Sequence, residues 1–414
     1  MRIATAVFVP FCLVPATAFA IDPLPEGDNG IAANYPNDVG IADDAMVYFF
    51  DDFESYADQT ALWDRWDNTF QQDQTRMATE PENVWAGAQS VEFTLPQQDV
   101  ELSNAVVKVV SPERDVLFLR YYSKFSTPFD VVGSSHNGSS ISAHYEDENG
   151  QSTPGIPADG MNKFLVAYEN WRGEAETMSP GDLNVYVYHP LQRDNYGDHF
   201  FPTGLVMPNT SLPFDFGPDF IPRDDVIQEL DRWYCYEVMV RANTPGELDG
   251  RIAFWLDGVL AADFQNLRLR DIDTLTIDRF SVGLHAGSSA NGEQKKWYDN
   301  VVAADAYIGP MYVPGGEDTG GSEGGGSSDE AGSADSGSAS ASGSGSASAS
   351  GSASGSGSAS GSGSGDGSSE SGSAGQGDGD DGGCGCRATP SGASAFALLG
   401  LFALRRRHAR RDAS

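Results

Sequence analysis

The chain is expected to fold as an all-β domain, a two-sheet antiparallel sandwich or jelly roll, followed by a disordered linker. Three observations predict this. Short segments of alternating polarity recur from residue 116 to residue 303. Tight-turn dipeptides such as Asp257-Gly258 separate them. Helical patterning is confined to residues 225–230, and no internal repeat is present. Many antiparallel strands at this spacing form two sheets, because each sheet must bury one apolar face against another.

The elements follow in order. Met1-Arg2 precedes an apolar stretch from Ile3 to Phe19 that closes on Ala18-Phe19-Ala20. This reads as a secretory signal peptide, residues 1–20, cleaved after Ala20. Cys12 lies inside the apolar stretch without the small neighbours of a lipid-attachment site, so it is discarded with the peptide. The folded domain spans residues 21–314, with its core at about residues 45–310. Its clearest strand is residues 116–125. There Leu119, Tyr121 and Ser123 face one way, and Phe118, Arg120, Tyr122 and Lys124 face the other. Further strands are expected at 163–169, 183–188, 234–242, 251–256, 259–264, 279–285 and 296–303. Asp257-Gly258 joins two of them as a hairpin, and Asn149-Gly150 is a second turn signal. Loops rich in Pro and Gly fill residues 200–223.

Residues 315–383 are almost all Gly, Ser and Ala, with scattered acids and no Lys or Arg. Such a stretch buries too little apolar surface to offset its ordering entropy. As a flexible coil it spans about 45 Å, and stretched it exceeds about 200 Å. Residues 384–414 hold Cys384-Gly-Cys386, an apolar run from Ala393 to Leu404, and an Arg-rich end from Arg405 to Arg411. An apolar run of about twelve residues falls short of the roughly twenty that a spanning helix needs. The arginines would hold the end on the cytoplasmic side. The three parts in this order resemble the MYXO-CTERM sorting signal of myxobacterial exported proteins. The resemblance implies cleavage near Cys384 or Cys386, a surface anchor, and the export and C-terminal sorting machinery as partners. The expected location is the cell surface or outer membrane, with release possible in principle.

The formal net charge is −35, with acids in both domain and linker. Nucleic acid is excluded as a partner, since phosphate binding needs a basic face. The charge favours solubility, and a monomer is expected. Cys235 is the lone cysteine of the domain, which therefore has no internal disulfide. Cys384 and Cys386 sit too close together for an easy mutual bridge.

A second resemblance rests on four segments. They are Trp233-Tyr-Cys-Tyr-Glu237-Val-Met-Val-Arg241, Gly250-Arg-Ile-Ala-Phe-Trp-Leu-Asp257-Gly258, Trp297-Tyr-Asp299-Asn300 and Tyr307-Ile-Gly-Pro310. With the entry segment from Asn34 and Phe50-Asp-Asp-Phe-Glu54, they resemble the concanavalin A-like jelly rolls. They are most similar to the polysaccharide-lyase-like branch that includes glucuronan lyases. The resemblance implies that first and last strands pair, which brings Asp52 and Glu54 near Asp299. Several carboxylates make a hard oxygen site, so a structural Ca²⁺ is expected there. The alternative is that these acids are merely solvated strand ends.

The resemblance also implies a polysaccharide partner lying on the concave sheet face. Arg120, Tyr122 and Lys124 share one strand side. Arg279, Ser281, Gly283 and His285 share another, and Glu237 and Arg241 a third. Ser134-Ser-His136-Asn137-Gly138 resembles the His-Gly turn of the lyase-like group. Such a lyase removes the proton at carbon five of a uronic acid and expels the oxygen at carbon four. It needs a group to neutralise the carboxylate, a base, and an acid for the leaving oxygen. Arg120 or Lys124 is the expected neutraliser, His136 the base, and Tyr122 or Tyr188 the acid. Glu237, Arg241, Arg279 and His285 are the expected substrate contacts.

Other chemistries lack their residues. Glu146-Asp147-Glu148 does not have the Glu-x-Asp-x-x-Glu alternation of laminarinase-type hydrolases. The alginate-lyase motifs Arg-x-Glu-x-Arg and Gln-Ile-His are missing, as are a nucleophile elbow and zinc-type Cys/His spacing. Two readings follow: a surface lyase acting on a uronic-acid polymer, or a non-catalytic glycan-binding or adhesive domain. Convergence of His136, Tyr122 and Arg120 in one cleft would favour the first, and scattering the second.

Overall fold

The computed structural model describes residues 23–97, 102–133, 135–147, 150–173, 175–208, 214–286 and 292–314. The expected signal peptide ending at Ala20, the expected linker and the tail with Cys384 and Cys386 lie outside the described residues. In chain order the strands are β1 Val47–Asp51, β2 Asn68–Phe70, β3 Thr75–Ala78, β4 Ser90–Leu95, β5 Leu102–Arg114 and β6 Val116–Phe125. Then come β7 Ser135–His136, β8 Ser139–Ala143, β9 Phe164–Trp171, β10 Asp182–Tyr188, β11 Asp198–Phe200 and β12 Val206–Met207. The last are β13 Tyr234–Arg241, β14 Gly250–Leu256, β15 Val259–Leu267, β16 Ile277–Ala286 and β17 Gln294–Ala304.

They form two antiparallel sheets packed as a sandwich. The first runs β15-β14-β13-β6-β17-β4-β3, with β1 also on β17. The second runs β12-β11-β10-β9-β8-β16-β5-β2, with β7 also on β16. Alternation builds the core between them. Leu117, Leu119 and Tyr121 of β6 and Val238 and Val240 of β13 meet Val166 and Tyr168 of β9 and Phe280, Val282 and Leu284 of β16. Every second residue of these strands points inward, as the pleat requires. The β14–β15 hairpin turns on Asp257 at φ 49° and Gly258 at φ 76°, the left-handed pair that a type I′ turn demands.

The outer face of the first sheet is not open. Phe118, Met239, Trp255 and Val302 make a second core with Ile31, Ala32, Ile41, Tyr307 and Ile308. The 3₁₀ turns Ile31–Asn34 and Ile41–Asp43 and the chain after β17 form this cover. Ile31 N–H donates to the Tyr307 carbonyl at 3.1 Å and Ala32 N–H to Ile308 at 2.9 Å. A Cβ at Gly30 would sit 2.2 Å from the Ile308 oxygen, so only glycine lets the two segments approach.

Two expectations need correction. Residues 225–230 are not helical; they form no regular element, and Val226 accepts a bond from Leu183 N–H at 2.8 Å on the edge of β10. Six residues offer too few bonds to offset helix nucleation, while Val226 and Leu230 find apolar partners in the core. Between the expected first strand and residue 116, strands β2 to β5, including the thirteen-residue β5, escaped the sequence reading. Their alternation is broken by polar positions such as Asn104 and Lys108.

Candidate active site on the second sheet

The outer face of the second sheet carries an open cleft of about 580 Å³. Register aligns its side chains in rows. Arg279, Ser142, Leu165 and Tyr188 are successive cross-strand partners, as are Ser281, Ser140, Ala167, Tyr186 and His199. His136 pairs with His285 at one end. Rows on one face are spaced by about 6.6 Å along each strand.

His136 stands at the centre of the chemistry. Its turn is clamped: Asn137 Nδ2 donates to the Asn170 carbonyl at 2.8 Å, and Asn170 N–H returns a bond to Asn137 Oδ1 at 3.0 Å. A Cβ at Gly138 would lie 1.8 Å from the Tyr168 oxygen, so the backbone there requires glycine. His136 Nδ1 is 2.7 Å from Glu169 Oε2. Glu169 is buried, and that burial raises its pKa while the facing imidazole works against the rise. The His136 ring lies 5.5 Å from His285 and 4.9 Å from Tyr186, whose own ring is 4.9 Å from His199 and 5.6 Å from Tyr188.

Burial, with the nearby His136 charge second, pushes the pKa of both His199 and His285 down to about 3. Both rings are neutral near pH 7. Burial raises the Tyr188 phenol, which stays protonated. Lys163 lies with its ammonium 4.6 Å from the Tyr188 ring centre and 2.9 Å from Thr153 Oγ1, and burial lowers it to about 8. The Ser140 and Ser281 hydroxyls are 2.7 Å apart. One donates to the other, which leaves a second O–H proton for a ligand. Arg279 bonds Glu146 and Asp278.

The structure thus brings together His136, Tyr188, Arg279 and His285. It separates them from Arg120, Tyr122, Lys124, Glu237 and Arg241, which lie on β6 and β13 of the first sheet. Arg120 is fully buried in an ion pair with Asp38 at 2.6 Å. Tyr122 stacks on Trp85 at 4.3 Å, and its hydroxyl accepts from Met311 N–H at 2.8 Å. Lys124 donates to the Glu82 carbonyl and to Asn83 Oδ1. Glu237 accepts from the N–H groups of Ile308 and Gly309, both at 2.8 Å, and burial pushes it up to about 7. Arg241 is exposed at the end of its strand. None of the five lines the cleft. Alternation correctly grouped Arg120, Tyr122 and Lys124 on one side, but that side lies under the chain cover.

The expected calcium ligands fare differently. β1 does pair with β17, and Glu54 is close enough to Asp299 to add to the rise that burial imposes on the Asp299 pKa. Yet Asp299 Oδ2 accepts from Trp85 and Ala86 N–H at 3.0 and 3.2 Å, and its Oδ1 from Asn300 N–H at 2.9 Å. Glu54 Oε1 accepts from Ala88 and Gln89 N–H, and Asp52 from Glu54 N–H. Backbone donors thus meet both oxygens of Asp299 but only one oxygen each of Glu54 and Asp52. Among the described residues no three His, Cys, Asp or Glu side chains are grouped to hold a metal.

Glu169, Tyr186, His199, Ser140 and Lys163 were not singled out from the sequence. Glu169 had a usable signal, a lone carboxylate inside the apolar strand Phe164–Trp171. The others carry none that distinguishes them from packing residues.

No protein-family model matches the chain, and no curated protein matches it by sequence. Among solved structures it is similar to alginate lyase Aly36B, at 18% identity over 63% of this chain and 97% of that one, with a TM-score of 0.46. It is also similar to the endo-β-1,4-glucuronan lyase of the fungus Trichoderma reesei, at 16% identity over 63% and 98%, TM-score 0.40. Alginate lyase vAL-1 from Chlorella virus matches at 14% identity over 63% and 99%, TM-score 0.45.

Proposed function

We propose that the cleft binds a uronic-acid-bearing polysaccharide and cleaves it by β-elimination. The observation that carries this is a histidine held through Nδ1 by a buried carboxylate, with a protonated tyrosine, Tyr188, beyond Tyr186 in the same open cleft. With Glu169 ionised, Nδ1–H donates to it and Nε2 of His136 carries the lone pair. That nitrogen takes the proton from carbon five of the uronate. The electrons of the broken C–H bond form the C4=C5 double bond, and the C4–O bond breaks. Tyr188 gives its proton to the departing oxygen. The Ser140–Ser281 hydroxyl pair donates to the sugar carboxylate and takes the place expected of Arg120 or Lys124.

The test is direct. Wild type incubated with a panel of uronate polysaccharides should release unsaturated ends, followed by their absorbance. A positioned base or acid contributes about 10²–10⁴-fold, so His136→Ala and Tyr188→Phe should each lose turnover on that scale with unchanged circular dichroism. A glycan-binding or adhesive role is the second reading. It is favoured by the failure of His136, Tyr122 and Arg120 to converge, and it takes over if glycans bind but no unsaturated ends appear from any of them.

We also propose that the domain is exported and tethered at the surface through Cys384 or Cys386. The support is the signal-peptide pattern at the start of the chain and the Cys, apolar, Arg order at its end. Replacing both cysteines by Ala should move the protein from the surface fraction to the medium. Unchanged surface display counts against the role of the cysteines.

A further inference from the structure

The charge inventory of the cleft bears on which uronate polymer it takes, an inference that rests on the reading of the cleft as a polysaccharide site. Among the described residues lining it, Arg279 is the one Lys or Arg. Its guanidinium is already held by Glu146 and by Asp278 at 3.1 Å. The short internal stretches outside the described residues, 98–101, 134, 148–149, 174, 209–213 and 287–291, contain no Lys or Arg. Lys163 adds no accessible cation, since it is 2% exposed and its ammonium is spent on Thr153 beneath two tyrosine rings. Against one guanidinium the lining sets two carboxylates, Glu146 and Glu169. His285 stays neutral near pH 7. What the floor does offer is neutral hydrogen bonding, from Ser103, Ser140, Ser142, Ser152 and Ser281.

A homopolymeric polyuronate would place a carboxylate on every ring it threads through this cleft. Each buried carboxylate needs a charge partner or several donors, and the lining provides for one at the Ser140–Ser281 pair. Neutral hydroxyls along a sugar chain match the rest. We infer that the cleft takes a heteropolysaccharide in which a uronate is flanked by neutral sugars, and disfavours homopolymeric polyuronates by leaving their extra carboxylates unpaired.

The experiment uses the full chain and two oligosaccharides of equal length, an oligoglucuronate and an alternating glucuronate–glucose chain. Affinity is measured at low and high salt. The alternating chain should bind at least about tenfold tighter. Added salt should strengthen oligoglucuronate binding, because it screens repulsion, and leave the alternating chain nearly unchanged. Glu146→Gln, which removes one carboxylate from the lining and leaves Arg279 with Asp278 alone, should narrow the gap. If that variant misfolds, the salt dependence of wild type decides alone. Equal or tighter binding of the oligoglucuronate, or its loss with added salt, overturns the inference. Tight binding of the alternating chain without unsaturated ends upholds it and sinks the elimination reading. Unsaturated ends from an oligoglucuronate that binds tighter do the reverse. Failure of both chains to bind overturns both.

Discussion

The two outer faces of the sandwich are built from the same kind of strand and end in opposite states. On the first sheet, Arg120, Tyr122 and Glu237 project outward and are closed over by residues 24–41 and 305–312, which give each a protein partner. On the second sheet, His136, Tyr188, Ser140 and Ser281 project outward into an open cleft. Both faces hold charges with little exposure. On the first they are satisfied by cover segments, which makes them structural. On the second the carboxylate of Glu169 orients a ring that remains partly exposed, which makes it available for chemistry. The lesson is that a polar strand side marks a face that is not core, and says nothing of whether water or chain lies over it.

The comparison breaks most visibly at Arg120. Removing one partner of a fully buried ion pair leaves the other uncompensated, at a cost of about 3–5 kcal/mol. Arg120→Ala should therefore shift the urea midpoint strongly while glycan affinity at the cleft, measured below the transition, stays unchanged. Lost affinity with intact stability would return Arg120 to the site.

A middle-sized effect is the sign of the pH dependence, which should differ between the faces. His285 has a folded pKa of about 3 against 6.5 for the ordinary imidazole. Its stabilising contribution is present above pH 6.5 and lost as the pH falls toward 3, at most about 1.4 kcal/mol per pH unit. Glu237 is raised from 4.5 to about 7. Its contribution is present below pH 4.5 and lost as the pH rises through 7. Relative to wild type, His285→Asn should gain stability on acidification, and Glu237→Gln should gain on raising the pH. Denaturant midpoints taken from pH 4 to pH 8 read both, and equal slopes for the two variants would erase the contrast.

The smallest effect concerns calcium. With backbone donors on Asp299 and Glu54, EDTA or added calcium should move the melting temperature little. A rise of several degrees with calcium would reinstate the Asp52, Glu54 and Asp299 site.

Much of the fold was legible because strand alternation is a local property. The facing of Val116–Phe125, the Asp257-Gly258 hairpin and the side shared by Arg279, Ser281 and His285 all follow from a period of two. The site was legible in part. His136 announced itself through Asn137-Gly138, whose glycine the packing requires. Glu169, Tyr186 and His199 did not, because their meaning comes from rings and carboxylates on neighbouring strands within about 5–6 Å in space, some of them far apart in the chain.

By itself the sequence determined that this chain alternates, turns and buries one side of each strand, since those depend on backbone geometry and the order of apolar residues. It also determined the sum of charge and the scarcity of basic residues. Only the tertiary structure decided which sheet each strand joined and which face the chain ends covered. Those outcomes depend on pairings such as β6 with β13 and β16 with β8, and on the bonds from residues 31 and 32 to residues 307 and 308, where long-range register rather than local pattern sets the neighbour.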